Sequence, residues 1–134
     1  MQTHKFLIQK NIKPSVQRTA VMEYLMINRV HPTVDEIYLA LSPDMPTLSK
    51  TTVYNTLDLL VRKGAAQMLL IDEKNARYDA DISKHGHFIC QSCGKVSDIF
   101  NLKPELFEIP KHPQYTINTV EISYTGICNE CKSN

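Results

Sequence analysis

All four cysteines of the chain fall into two Cys-x-x-Cys pairs, Cys90-Gln-Ser-Cys93 and Cys128-Asn-Glu-Cys131, and nothing is left over. A two-residue spacer lets both thiolates of a pair face one ion. Two pairs therefore supply the tetrahedral all-sulfur set that suits Zn(II) and leaves no open position for chemistry. Two disulfides, or a redox-active Cys-x-x-Cys, are the alternatives. A reducing compartment disfavours the first, and a redox motif has no use for a twin. The first pair stands near the head of a short C-terminal region and the second nearly at its end. One ion would tie that region's termini together, and its binding energy would become folding energy.

The rest of the chain divides around this feature. With 134 residues, 43% hydrophobic and 22% charged, the composition is that of a folded globular protein and excludes a disordered or fibrous one. The start MQTHKFLIQKNIKPS has no apolar run long enough for a signal peptide, and no later stretch nears the roughly 18 apolar residues of a membrane span. A cytoplasmic protein is expected, with no membrane partner. Residues 1–78 carry ten Lys/Arg against seven Asp/Glu, and residues 79–134 five against seven, giving +3 and −2 within a net charge of +1. The imbalance favours phosphate contact by the first part and cation binding by the second.

Residues 1–64 read as helical. After Pro14, the residues Val16, Ala20, Val21, Tyr24, Leu25 and Ile27 recur at helical spacing. Thr33 and Glu36 form a capping box that opens a second helix, with Val34, Ile37, Tyr38 and Leu41 on one face and Pro43 as its stop. Ser49 opens a third helix, which turns Val53, Leu57, Leu60 and Val61 inward and keeps Lys50, Thr51, Tyr54, Asn55, Asp58 and Arg62 on the other face. Gly64 follows as a left-handed cap. The runs AAQMLLI and ARYDA flank the polar DEKN as a hairpin would. Three helices closed by a hairpin predict an N-terminal winged helix-turn-helix over residues 1–78.

Residues 79–134 read as a small α/β unit, so the fold class is α+β. HFIC and KVSDIF are short strands, PELFEI is a helical turn, and TINTVEISYTGIC alternates over Val120, Ile122 and Tyr124 as a half-buried strand does. A core this small needs a staple, a partner subunit or both. A second constellation surrounds the first cysteine pair: Asp79, Asp81, His85 and His87 before it and Asp98 after it, with His31 isolated in the loop before the second helix. In a strand, His85 and His87 project from one side, as two ligands of one ion must. Spacing alone leaves a mixed N/O metal site and a set of ordinary solvated side chains equally open.

Together these strings resemble the ferric uptake regulator superfamily over essentially the whole chain. The motifs that carry the resemblance are Q-R-T-A-V at 17–21, H-P-T-V-D-E-I-Y at 31–38, T-T-V-Y-N-T-L at 51–57, R-Y-D at 77–79 and H-G-H-F-I-C-Q-S-C-G-K-V-S-D at 85–98. The resemblance implies a homodimeric, metal-dependent, DNA-binding transcriptional repressor, not an enzyme. Within the superfamily the peroxide-sensing branch is the most similar. Its regulatory ligands, three histidines and two aspartates, match His31, Asp79, His85, His87 and Asp98, and Fe(II) or Mn(II) would be the ion. Iron-uptake sensors tend to carry Glu at the places of Asp79 or Asp98. A further metal site of iron and zinc sensors would fall on Lys84, Gly86 and Val120, which are not ligands.

On this resemblance, an ion held by all five ligands would bridge the two domains and set the spacing of two winged domains on a pseudo-palindromic operator. Tyr54 is the candidate for base contact, with packing on the hairpin as its structural alternative. Arg18, Lys50, Thr51, Asn55 and Arg62 are candidate DNA contacts, and the hairpin tip at 72–75 would reach adjacent phosphate or minor groove. With Fe(II), peroxide would oxidise His31 or His85. The competing functions are an iron-uptake or other metal-responsive repressor, and a mononuclear iron enzyme. Five protein ligands disfavour the enzyme, because they leave at most one position for oxygen and co-substrate.

Overall fold

The computed structural model describes residues 2–70 and 75–133. The chain forms two compact units, residues 1–82 and 83–134. The division falls after Ile82 rather than after Tyr78, because Asp79 is paired into a strand of the first unit opposite Gln67. Among the described residues, no helix is long and apolar enough to cross a membrane.

The first unit contains helices α1 (Gln2–Gln9), α2 (Val16–Ile27), α3 (Val34–Leu41) and α4 (Lys50–Arg62), then strands β1 (Gln67–Leu69) and β2 (Arg77–Asp79). Helix α1 is an addition to the three helices expected. Ser15 caps α2 by accepting the Arg18 amide, so Pro14 precedes the cap rather than starting the helix. The capping box of α3 is complete: Thr33 Oγ1 accepts the Glu36 amide at 3.2 Å, and the Thr33 amide donates to Glu36 Oε1 at 3.0 Å. A short 3-10 turn at Ser42–Asp44 follows, with Pro43 in it. Ser49 caps α4, and Gly64 after its end has a φ of 73°, the left-handed geometry that a residue without Cβ adopts without strain.

Helix α4 packs on α2 and α3, and Val53, Leu57 and Leu60 point with Val21, Met22, Leu25 and Ile37 into one apolar core. Thr56 is buried as well, whereas Val61 is only partly so. Val16 and Ile27, expected on the inner face of α2, are 80% and 70% exposed because they begin and end the helix, beyond the turns that meet α4. Strands β1 and β2 pair antiparallel, and the expected hairpin tip at 72–75 lies, apart from Asn75, outside the described residues.

The second unit is a three-stranded sheet in the order β4-β3-β5, from β3 (Gly86–Cys90), β4 (Val96–Ile99) and β5 (Ser123–Gly126). β3 runs antiparallel to β4 and parallel to β5. PELFEI supplies a 3-10 turn, Pro104–Phe107, and the chain ends in the one-turn helix α5 (Asn129–Lys132). The long strand expected from the alternation near the C-terminus is confined to Ser123–Gly126. It lies at an edge of the sheet, and Tyr124 stays exposed.

Candidate metal centres

Strand pairing builds the cysteine cluster. Cys90 closes β3 opposite Gly126 of β5, so the parallel pair delivers Cys128, two residues on, beside it. Gly94, at a φ of 79°, donates its amide to the Cys90 carbonyl and turns the chain so that Cys93 comes back toward Cys90. α5 then returns Cys131. The four Sγ atoms lie within 4.8 Å of one another, with Cys90–Cys131 at 3.7 Å and Cys93–Cys128 at 3.9 Å. Four sulfurs around one Zn(II) at about 2.3 Å stand about 3.8 Å apart. All four are free thiols. A disulfide would need about 2.05 Å. The cluster fits structural zinc.

Local donors prepare it. The Cys93 and Cys128 amides reach Cys90 Sγ at 3.5 and 3.4 Å and pull that thiol down to about 6. At Cys131 the Ser92 hydroxyl lowers the thiol, but the crowding of Cys128, Cys90 and Cys93 together with burial outweighs it and pushes the group up to about 12. Four thiols this close cannot all ionise without a cation among them.

The other expected ligands form one group in each unit. In the first unit, His31 Nε2 lies 3.5 Å from Asp79 Oδ2, and both side chains are buried. β2 carries Asp79, and the Tyr78 amide donates to the Pro32 carbonyl at 3.0 Å, which holds the strand against the His31 loop. In the second unit, His87 on β3 is paired across to Asp98 on β4. Asp98 Oδ1 lies 3.2 Å from His85 Nε2 and 3.4 Å from His87 Nε2, and the two histidine rings are 4.6 Å apart. His85 Nδ1 is 2.8 Å from the Ser83 carbonyl. A carbonyl only accepts, so Nδ1 is a donor to it, which leaves Nε2, on the side of Asp98, as the atom that would meet a metal.

Donor atoms sharing an ion at about 2.1 Å stand roughly 3.0–3.4 Å apart. The separations within each group are close to this, and the N/O donors suit Fe(II), Mn(II) or Zn(II). Burial of carboxylates beside imidazoles is costly unless compensated, which a cation does. At Gly86 a Cβ would meet Leu102 Cδ1 at 2.7 Å, so a side-chain ligand there would require that leucine to turn aside.

The outer face of α4 presents the expected polar set. Tyr54 is 54% exposed, and Lys50, Thr51, Asn55 and Arg62 are exposed with it. Tyr54 also neighbours β2: the Tyr78 hydroxyl is held above the usual phenol range first by burial and then by Tyr54 and Asp58. Lys50 and Arg62 pair with Asp35 and Asp58, surface contacts that yield readily to a phosphate. Arg18 donates to the Lys13 carbonyl and lines a groove of about 450 Å³ with Lys13, Ser15, Thr52 and Asn55. Lys13 and Ser83 carry no motif-level signal as isolated polar residues, and Arg77 stands in the R-Y-D string without a role read from it; only the fold brings them to these sites.

A winged helix joined to a small sheet, with a four-thiol cluster and buried histidine–carboxylate groups, defines a metal-responsive regulator. The sequence profile of the ferric uptake regulator family matches residues 9–131, and the chain belongs to that family. The peroxide-responsive repressor PerR of Staphylococcus aureus is 36% identical over 130 residues, covering 94% of this chain and 86% of that protein. PerR of Streptococcus pyogenes, solved for its peroxide sensing and gene regulation, matches with a TM-score of 0.54 at 29% identity, over 97% of this chain and 90% of that one. The ferric uptake regulator Fur of Helicobacter pylori, which has three functional metal-binding sites, matches with a TM-score of 0.72 at 22% identity over 98% and 89%, a likeness of fold.

Proposed function

We propose that the chain is a homodimeric, cytoplasmic, DNA-binding repressor whose operator affinity depends on a regulatory metal and which senses peroxide by oxidation of its own histidines. The observation that carries this reading is the pair of histidine–aspartate groups, with His31, Asp79, His85 and His87 buried and Asp98 partly so, and with Asp, not Glu, at both 79 and 98. Neither group completes a coordination sphere: His31 and Asp79 offer two side chains, and His85, His87 and Asp98 offer three. If one ion takes donors from both units it favours a single arrangement of them, and operator affinity follows the population of that arrangement. Cys90, Cys93, Cys128 and Cys131 hold structural Zn(II) throughout, closed to chemistry. The likeness to S. aureus and S. pyogenes PerR supports the peroxide branch.

The N-terminal unit would lay α4 in the major groove, with Tyr54 at a base edge and Lys50, Thr51, Asn55, Arg18 and Arg62 placed for neighbouring DNA contacts. In the second unit Phe100, Leu106, Ile109, Tyr124 and Ile127 leave apolar surface exposed, which suits pairing with a second copy across a pseudo-palindromic site. Ferrous iron, when bound, supplies the one-electron reduction of peroxide that manganous ion does not readily perform. On the chain's side, a ring C–H of His31 or His85 becomes C–OH, peroxide takes up the two electrons lost and water leaves. Oxidation of either ring removes a donor from its group, and the operator is released. No organic substrate is turned over.

The test compares iron-loaded and manganese-loaded protein given a small excess of peroxide. A single added oxygen on peptides containing His31 or His85, with loss of operator binding for the iron form alone, is expected. Unmodified histidines in iron-loaded protein that stays on DNA would assign it to iron uptake instead. Equal loss with both metals and oxidised cysteines would mean a thiol switch.

A further inference from the structure

Among the described residues, three that are not glycine have a positive φ: Asn11, His31 and Asn101. Asparagine tolerates this region. His31, at a φ of 56°, is also followed by Pro32, whose ring restricts the residue before it to extended backbone. Such a conformation persists only where its surroundings fix it. The surroundings converge on one side chain. Arg77 Nη1 donates to the His31 carbonyl at 3.0 Å and lies 3.7 Å from Glu36 Oε1, the oxygen that also accepts the Thr33 amide in the capping box of α3. Arg77 and Asp79 stand two apart on β2 and so share a face. A closed circuit results: Asp79 to His31 through the side-chain pair, the His31 carbonyl to Arg77, Arg77 to Glu36, and Glu36 back through Thr33 to the loop.

We infer that Arg77 is a positioning residue for the regulatory ligand His31, holding it in a left-handed, metal-ready conformation and anchoring it to the cap of α3. The inference rests on the metal-dependent reading above. Both contacts come from the one nitrogen Nη1, and an arginine suits the task because its rigid, always-charged guanidinium plane holds that nitrogen in place, where the flexible stem of lysine would not fix its ammonium as firmly. Groups that orient a ligand from behind typically set metal affinity by about tenfold to a hundredfold.

The experiment uses the full-length, zinc-loaded protein and follows free Mn(II) by its paramagnetic resonance as protein is added. Arg77→Met is expected to weaken manganese binding by about tenfold or more, with zinc content unchanged. Arg77→Lys should restore part of the affinity. Glu36→Gln, which keeps the capping acceptor but loses the ion pair, should weaken binding by less. In a His31→Ala background, Arg77→Met should have no further effect on manganese, whereas any effect on melting temperature should persist. In zinc-only protein, the His31 ring should give one sharp nuclear-resonance signal that Arg77→Met broadens or splits. Equal manganese affinity in wild type and Arg77→Met, or the same loss with and without His31, would overturn the assignment and leave the metal reading intact. Wild type that takes up no manganese beyond its zinc would overturn the metal reading, and this assignment with it.

Discussion

The two units bury different things. In residues 1–82 the interior is mainly hydrocarbon, with Leu7, Val21, Met22, Leu25, Ile37, Val53, Leu57 and Leu60 almost wholly inaccessible beside the buried ligand pair His31 and Asp79. In residues 83–134 the buried apolar side chains among the described residues are Cys90 and Phe107, and the others buried are His85 and His87. One unit is thus closed by apolar packing. The other encloses mainly groups that bind ions, and a sheet with so little hydrocarbon beneath it needs a metal or a partner to stay folded. The unit that carries the four thiols and three of the five proposed regulatory ligands is also the part least able to fold alone, so metal occupancy and conformation are joined there from the start.

Loss of zinc should expose this contrast most strongly. Structural zinc in small domains is worth on the order of 10–16 kcal/mol at neutral pH, more than a fifty-residue core supplies. Cys93→Ser, or chelation of the wild type, is expected to unfold the second unit and abolish dimers while the helical signal of the first unit survives. Limited proteolysis with zinc analysis reads this directly. A Cys93→Ser protein that remained a zinc-bound dimer would break the comparison.

A core truncation should act on the opposite unit. Leu57 is wholly buried where α4 meets the other helices, and Leu57→Ala should cost about 2–5 kcal/mol through lost transfer energy and the cavity left behind. Denaturant unfolding followed by helical circular dichroism measures the loss. Zinc content should not change. Release of zinc by this substitution would show that the second unit leans on the first.

What could be read from the sequence differs between the units for the same reason. Capping chemistry and helical periodicity are local, so Thr33, Glu36, Ser49 and the two faces of α4 were readable from their neighbours, as was the gathering of four cysteines around one point. Pairing at a distance was not. Nothing near Gly126 announces a parallel partnership with Cys90, and the alternation over Val120, Ile122 and Tyr124 suggested a longer, half-buried strand than the exposed edge strand Ser123–Gly126. Helix α1 carries no start signal, and the exposed Val16 and Ile27 have the right spacing at the wrong ends of α2. For the histidines, i,i+2 spacing predicted the shared side of His85 and His87. It gave no sign of the left-handed His31, of Arg77 behind it or of the Ser83 carbonyl at His85 Nδ1, because each depends on a contact made by folding.

The smallest effect tests whether the first unit is stabilised in many small steps, as an apolar core with local caps should be. Thr33→Ala removes the side-chain acceptor of the Glu36 amide while leaving the Glu36 carboxylate on the Thr33 amide, so half of the capping box is lost. The expected cost is about 1 kcal/mol. In a domain of this size that lowers the melting temperature by about 4–8 °C. Thr33→Ser, which keeps the hydroxyl, should recover most of it. Because Thr33 follows the His31–Pro32 turn, the same substitution should loosen that loop and weaken the regulatory metal slightly, without touching the zinc cluster. Thermal melts of the three proteins, each with zinc content determined before and after, make the comparison. A large drop accompanied by zinc loss would mean that the cap of α3 supports both units, and the separation of a packed unit from an ion-held one would have to be abandoned.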